Sequence, residues 1–99
     1  RARMRPSEAL AAHGDVIRQV ILANRASNPR IFGSVAKGED TEGSDLDLLV
    51  DGTEDTSLFD LARIEIRLSE ILGVPVEVRT PFEISSRYRD AVLSEARPL

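Results

Sequence analysis

The sequence predicts a small α+β domain, in which a mixed β-sheet of three or more strands carries helices packed on one face. Two observations indicate this fold. Apolar residues repeat at helical spacing in two long segments, and three short apolar runs bounded by Gly, Pro or polar residues have the length of strands. The resulting order, α-β-β-α-β-α, suits one sheet with a helical layer. We expect residues 1–99 to form a single domain, with residues 1–5 flexible.

The first helix is expected just after Pro6, with Ser7 as its N-cap, and should fade between Asn24 and Asn28. The second helix has the clearest end signals in the chain. Ser57 can cap its N-terminus, Asp60 can complete a capping box, and Gly73 is a typical stop. A last short helix is expected over residues 87–96. The three predicted strands are residues 30–32, 45–50 and 74–79.

The composition excludes several classes of protein. The chain has no cysteine, so neither a disulfide framework nor a thiolate metal site is available. A net charge of −4 argues against an extended basic surface that binds nucleic acid. No apolar run reaches the length of a membrane span. We therefore expect a cytoplasmic protein that does not enter membranes and does not bind nucleic acid directly.

Residues 33–51 carry the strongest functional signal. Gly33 and Ser34 follow a predicted strand and precede a helical turn, so backbone amides and the Ser34 hydroxyl could donate hydrogen bonds to phosphate. Lys37 could reach the same phosphate, or it could be an ordinary surface lysine. Taken alone, Gly-Ser is also the sequence of a plain strand-to-helix turn.

Ten residues separate Ser34 from Asp45 and Asp47, which stand at the start of a predicted strand. Alternate side chains of a strand share a face, so the two carboxylates point the same way. They repel each other unless a cation lies between them. Such oxygen ligands suit Mg²⁺, which is usually shared with substrate phosphates. An isolated D-x-D is common at solvated strand ends, and only its combination with Gly-Ser favours a nucleotide site.

Glu77 lies on the polar side of the third predicted strand, together with Arg79. If this strand lies beside the D-x-D strand, Glu77 would join Asp45 and Asp47, share a metal ion and help to deprotonate an attacking hydroxyl. An exposed Glu paired with a basic side chain is an equally good interpretation of the residues alone.

The motif G-S-x10-D-x-D, from Gly33 to Asp47, resembles the signature of the DNA polymerase β-like nucleotidyltransferase superfamily. The short chain, with RPSEAL at residues 5–10, looks like the minimal nucleotidyltransferase branch, and the likeness covers about residues 4–99. The resemblance implies a nucleotidyltransferase core in which Gly33 and Ser34 hold the triphosphate and Asp45 and Asp47 bind two Mg²⁺ ions. Glu77 falls where the family's third carboxylate stands, which is usually Asp.

The resemblance also implies a reaction and a partner. In this family a hydroxyl attacks the α-phosphorus of a nucleoside triphosphate, and pyrophosphate leaves. Minimal members similar to this chain are commonly antitoxins of HEPN-type ribonuclease toxins, and some transfer AMP from ATP to a toxin tyrosine. The leading hypothesis is therefore a Mg²⁺-dependent adenylyltransferase antitoxin, with ATP as substrate and a HEPN-type toxin as partner.

Two other hypotheses stay open. The chain could neutralise its toxin by binding alone, which Glu77 in place of Asp favours, whereas the intact Gly-Ser and D-x-D motifs favour the enzyme. It could also be a nucleotidyltransferase subunit that acts on another acceptor, a small molecule or RNA, through a separate recognition subunit. The acidic charge makes RNA the less attractive acceptor.

Overall fold

The computed structural model describes residues 4–99, in which helices and strands alternate. The predicted order α-β-β-α-β-α is extended by a short helix between the first two strands and by a last strand. The helices are α1 (Pro6–Ala23), α2 (Gly33–Ala36), α3 (Leu58–Leu72) and α4 (Ser86–Glu95). The strands are β1 (Ala26–Phe32), β2 (Leu46–Gly52), β3 (Val76–Arg79) and β4 (Arg97–Pro98), and a 3₁₀ turn spans Pro81–Glu83. The two-residue β4 was not predicted. Of the five residues expected to be flexible, the first three lie outside the described residues.

The four strands form one mixed sheet in the order β3-β2-β1-β4. Strand β2 pairs antiparallel with β1 and parallel with β3, while β4 pairs antiparallel with β1. Helix α3 makes the crossover that a parallel pair requires. In this register Phe32, Asp47 and Glu77 lie in one row across three strands.

The core lies between the sheet and helices α1 and α3. Leu46, Leu48 and Val50 of β2 belong to it, as the alternation predicted. The helices contribute Ile17, Ile21, Ile64 and Leu68, all fully buried. Within residues 4–99, no helix combines the length and the apolar composition needed to cross a membrane.

Strand β1 begins at Ala26, so the prediction that it begins at Arg30 was wrong. The sequence around Pro29 suggested a break, because proline cannot donate to a strand ladder. The register instead shifts between Ser27 and Arg30, and Asn28 adopts a left-handed conformation with φ 51°. This bulge accommodates the proline inside the strand.

The other two strands begin later than predicted. Strand β2 starts at Leu46, which leaves Asp45 in the preceding loop, and β3 starts at Val76 rather than Val74. Pro75 accounts for the second difference, because it has no N–H for the ladder; its carbonyl accepts the N–H of Leu46 at 2.8 Å. The last helix, α4, agrees with its predicted range to within one residue at each end.

The predicted ends of α3 are confirmed. The Asp60 N–H donates to Ser57 Oγ at 3.3 Å, and the Ser57 N–H donates to Asp60 Oδ2 at 2.9 Å, which completes the capping box. Gly73 ends the helix in a left-handed conformation with φ 71°. Both ends of α3 therefore lie where the sequence predicted them.

The predicted cap of α1 was wrong. The helix already includes Pro6, which suits the first helical position because it has no N–H to satisfy. Arg5 precedes it, and the Arg5 N–H donates to Glu8 Oε1 at 3.0 Å. Ser7 instead donates its N–H to Asp40 Oδ2 at 2.9 Å, which ties the first turn of α1 to the loop before β2.

Side chains of α3 bond to the outer edge of β3. The Val76 N–H donates to Ser69 Oγ at 3.1 Å, and the Val78 N–H donates to Glu65 Oε2 at 2.8 Å. These two amides point away from β2 and are satisfied by the crossover helix rather than by another strand.

Candidate active site

The sheet register brings Asp47 and Glu77 side by side. They are partners across the parallel β2–β3 pair. Both lie on the face opposite the core, because the residues that flank them in each strand are core residues. Asp45 is exposed and lies one residue before β2. Two of the three predicted carboxylates are thus placed by the sheet, and the third by the adjoining loop.

The carboxylate cluster changes the acidity of Asp47. Burial, a hydrogen bond and charge repulsion from Glu77, and repulsion from Asp45 together raise its pKa to about 7, while the charge of Arg79 opposes the change. At neutral pH, Asp47 therefore holds a proton for a substantial part of the time in the absence of a cation. A divalent cation at this position would remove the repulsion and displace that proton.

The donor set fits Mg²⁺, although the predicted three-ligand arrangement is not preformed. Among residues 4–99, no three His, Cys, Asp or Glu side chains are already grouped to hold an ion. Mg²⁺ commonly takes only one or two protein carboxylates and completes its shell with water and substrate phosphates. Asp47 with Asp45 or Glu77 can supply that share, so the site fits an ion that arrives with a nucleotide.

Gly33 is the point at which the turn before α2 meets Asp47. Its φ is 71°, a left-handed conformation that glycine adopts freely. A Cβ atom on Gly33 would overlap Asp47 Oδ2 and lie 3.1 Å from Asp47 Cγ. Only glycine fits here, and its backbone brings the predicted phosphate-binding turn directly against the predicted metal ligand. Ser34 follows as the second residue of α2.

A carboxylate that the sequence analysis missed lies at this turn. The Gly33 N–H donates to Glu95 Oε1 at 2.9 Å, and Lys37 Nζ lies 3.7 Å from Glu95 Oε2. Glu95 is the last residue of α4, and 62 positions separate it from Gly33. Two of the residues predicted to bind phosphate therefore hold a side-chain anion of the same chain.

Arg79 links Glu77 to the crossover helix. Its Nη2 lies 3.6 Å from Glu77 Oε1, and its Nη1 lies 3.3 Å from Glu65 Oε2. Both interpretations of Glu77 are therefore realised in one arrangement: the side chain lies beside Asp47 and is also paired with a basic residue.

A separate cavity of about 830 Å³ opens where β2 and β3 end. Leu58, Leu61, Pro81 and Phe82 supply much of its apolar lining. Among the described residues that line this cavity, none belongs to the predicted site. The predicted site lies instead on the face of the sheet opposite the core, where Asp47 is partly buried while Asp45 and Glu77 are exposed.

Residues 28–99 match the sequence profile of the nucleotidyltransferase domain family. The chain belongs to this family. The matched range contains the Gly-Ser turn, the D-x-D motif and Glu77. The chain is also 40% identical over 77 residues to MJ0435 of Methanocaldococcus jannaschii, which its name describes as a candidate protein adenylyltransferase. That alignment covers 78% of this chain and 83% of the relative.

Solved structures agree with this assignment. The structure of a candidate minimal nucleotidyltransferase superimposes with a TM-score of 0.83 at 41% identity, covering 94% of this chain and 95% of the other. A toxin–antitoxin crystal structure with AMP-PNP gives a TM-score of 0.73 at 17% identity, covering 87% of this chain and 70% of the other, which shows a common fold alone. This nucleotidyltransferase is therefore a minimal member of its family and an enzyme of that class.

Proposed function

We propose that this nucleotidyltransferase is a Mg²⁺-dependent adenylyltransferase antitoxin. It transfers AMP from ATP to a tyrosine hydroxyl of a partner HEPN-type ribonuclease toxin and releases pyrophosphate. The observation that carries the proposal is the contact of the Gly33 turn with Asp47, which itself lies beside Glu77. The relative described as a protein adenylyltransferase and the toxin–antitoxin structure with AMP-PNP support the choice of nucleotide and partner.

Each site residue has a role in this proposal. The Gly33 N–H, the Ser34 hydroxyl and Lys37 bind triphosphate oxygens, while Asp45 and Asp47 bind the cation. Two bound Mg²⁺ ions would neutralise phosphate charge and stabilise the attacking and leaving oxygens.

Glu77 accepts the proton of the acceptor hydroxyl as the tyrosine oxygen attacks the α-phosphorus. A new P–O bond forms to tyrosine, the bond between the α-phosphorus and the bridging oxygen breaks, and pyrophosphate leaves with the electron pair. The added phosphate places a negative charge near an RNA-cleaving site. Repulsion of the RNA backbone and the bulk of AMP would then silence the toxin.

Intact-mass spectrometry tests the proposal. The chain is mixed with the HEPN-type protein encoded by an adjacent gene, with ATP and Mg²⁺. We expect the partner to gain the mass of one or more AMP groups. The Asp45→Asn, Asp47→Asn double variant should abolish this gain, because it removes both cation-binding charges. The matched control is Glu54→Gln with Asp55→Asn, which removes two charges from the exposed loop after β2.

A stable complex without any mass gain would overturn the catalytic proposal and favour neutralisation by binding. The ion pair between Arg79 and Glu77 is the observation that favours this second candidate, because it engages the proposed base. Thermal unfolding of every variant accompanies the assay, so that loss of activity is separated from loss of the fold.

A further inference from the structure

Glu95 stands where the proposed triphosphate must bind. Its carboxylate accepts the Gly33 N–H at 2.9 Å and lies 3.7 Å from Lys37 Nζ. A carboxylate and a phosphate oxygen are both anionic acceptors and make the same charge-assisted hydrogen bonds. The side chain of Glu95 is 29% exposed, so this contact is partly withdrawn from solvent.

The same donors cannot serve both anions well. The Gly33 N–H is a single donor, so a phosphate oxygen that accepts from it must displace Glu95 Oε1. If Glu95 stayed in place, its negative charge would also repel the triphosphate at close range. Binding of nucleotide therefore requires the Glu95 side chain to leave.

Contacts on both sides of Glu95 in the sequence fix its backbone position. Arg89 donates to the carbonyls of Pro81 and Ile84, at 2.7 and 3.0 Å, and fixes the start of the helix beside the 3₁₀ turn. Just beyond Glu95, β4 pairs with Arg30 and Ile31 of β1. The backbone of residue 95 is therefore anchored, so release of the carboxylate would occur through a change of side-chain rotamer.

We propose that Glu95 is an intramolecular competitor that sets the affinity of the site for triphosphate. This inference rests on the proposed nucleotide site. Glu95 keeps the turn formed in the absence of nucleotide and lowers the affinity for nucleotide by the free energy needed to release its carboxylate. The ligand class with which it competes is the polyphosphate group, independent of the base.

Calorimetry with inorganic triphosphate and Mg²⁺ tests the inference in Glu95→Gln. The amide keeps the size of the side chain and an acceptor for Gly33 but loses the charge. We expect inorganic triphosphate and ATP to bind Glu95→Gln about threefold to tenfold more tightly than the wild type, since a partly exposed charged contact has a modest net strength. Asp90→Asn is the matched control, because it removes the same charge from the same helix; its affinity should stay close to the wild-type value.

Amide hydrogen exchange of Gly33 supplies a readout that needs no nucleotide. Exchange should be faster in Glu95→Gln than in the wild type, because the charge-assisted hydrogen bond is lost. Equal exchange rates would overturn the contact on which the inference depends.

Triphosphate binding that is unchanged or weaker in Glu95→Gln would overturn the inference. If the wild type still binds triphosphate in that case, the proposed nucleotide site is unaffected. An equal gain in Asp90→Asn would overturn the inference as well, because net charge alone would then explain the effect. If neither the wild type nor Glu95→Gln binds triphosphate, the inference and the proposed function fail together.

Discussion

Gly33 is constrained both by its left-handed backbone conformation and by its close contact with Asp47, and mutation can separate the two effects. Gly33 and Gly38 share a left-handed φ, 71° and 70°, but an added Cβ meets Asp47 only at Gly33 and meets no heavy atom within 4 Å at Gly38. We expect Gly33→Ala and Gly38→Ala each to lose about 1 kcal/mol of stability from the backbone conformation. Only Gly33→Ala should also weaken binding of Mg²⁺ and triphosphate, by about tenfold or more, because its Cβ displaces the Asp47 carboxylate.

Urea unfolding and calorimetry measure the two effects separately. Equal triphosphate affinity in the two alanine variants would contradict the packing argument for Gly33.

Asp47 makes the cation-free fold sensitive to pH. Its pKa is about 7 in the folded chain and about 3.9 when unfolded, so the unfolded chain releases this proton more readily. Stability should therefore fall as pH rises from about 4 to about 7. Asp47→Asn should remove this pH-dependent decrease in stability. In EDTA at pH 8, it should be more stable than the wild type by about 1–2 kcal/mol, a figure reduced because the site is partly solvated.

Denaturant unfolding at pH 8 and pH 4 checks this sign. The two proteins should differ at the higher pH and agree at the lower one. Lower stability of Asp47→Asn at pH 8 would show that the carboxylate supports the fold rather than straining it.

At this scale, the structure brings together most of the residues that the sequence predicted to form one site, for identifiable reasons. Gly33, Ser34 and Asp47 lie close together in the chain, so their spacing carries information about their geometry. Glu77 required the further assumption that β3 lies beside β2, which the register confirms. Glu95 was missed because a contact across 62 positions leaves no local pattern.

Among the elements, α3 depends on a buried carboxylate. Asp60 is 1% exposed. It accepts hydrogen bonds from the N–H of Ser57 and from the guanidinium groups of Arg25 and Arg63. The Ser57 N–H, and then the two arginines, hold the pKa of Asp60 below its usual range, although burial opposes the change. One side chain thus caps α3 and joins it to the turn before β1.

We expect Asp60→Ala to lower the Tm by about 5 °C or more, because the cap and both ion pairs are lost together. Ser57→Ala removes only one half of the capping box and should have the smaller effect. Thermal unfolding at pH 7 measures both. Because the folded pKa of Asp60 is depressed, its contribution is present above about pH 4 and should disappear as the pH falls further. Equal Tm values for the two variants at pH 7 would contradict a special role for Asp60.

The element boundaries show where local patterns fail. The ends of α3 follow from Ser57, Asp60 and Gly73, whose effects on the backbone are local, and they were predicted correctly. The start of β1 was not, because Pro29 is tolerated only through a bulge that the pairing with β2 stabilises. Tertiary pairing overrode a local signal in that segment.

For the molecule as a whole, periodicity was sufficient to predict the fold class but not every strand. The apolar alternation of β2 and the helical face of α3 identify a sheet with a helical layer. Strand β4 has only two residues, Arg97 and Pro98, too few to show any alternation, and it exists because β1 offers a partner. Strand order likewise depends on contacts between distant segments, which a single sequence does not display.

The hydrogen bonds from α3 to β3 have a consequence for assembly. With the outward amides of Val76 and Val78 already engaged, a strand from another molecule finds few free donors at that edge. On the other side of the sheet, β4 covers only Arg30 and Ile31 of β1, and it includes Pro98, which has no N–H to offer. The β3 edge is therefore the one protected against extension into fibrils. A protein that approaches on that side meets side chains of α3 rather than free backbone donors.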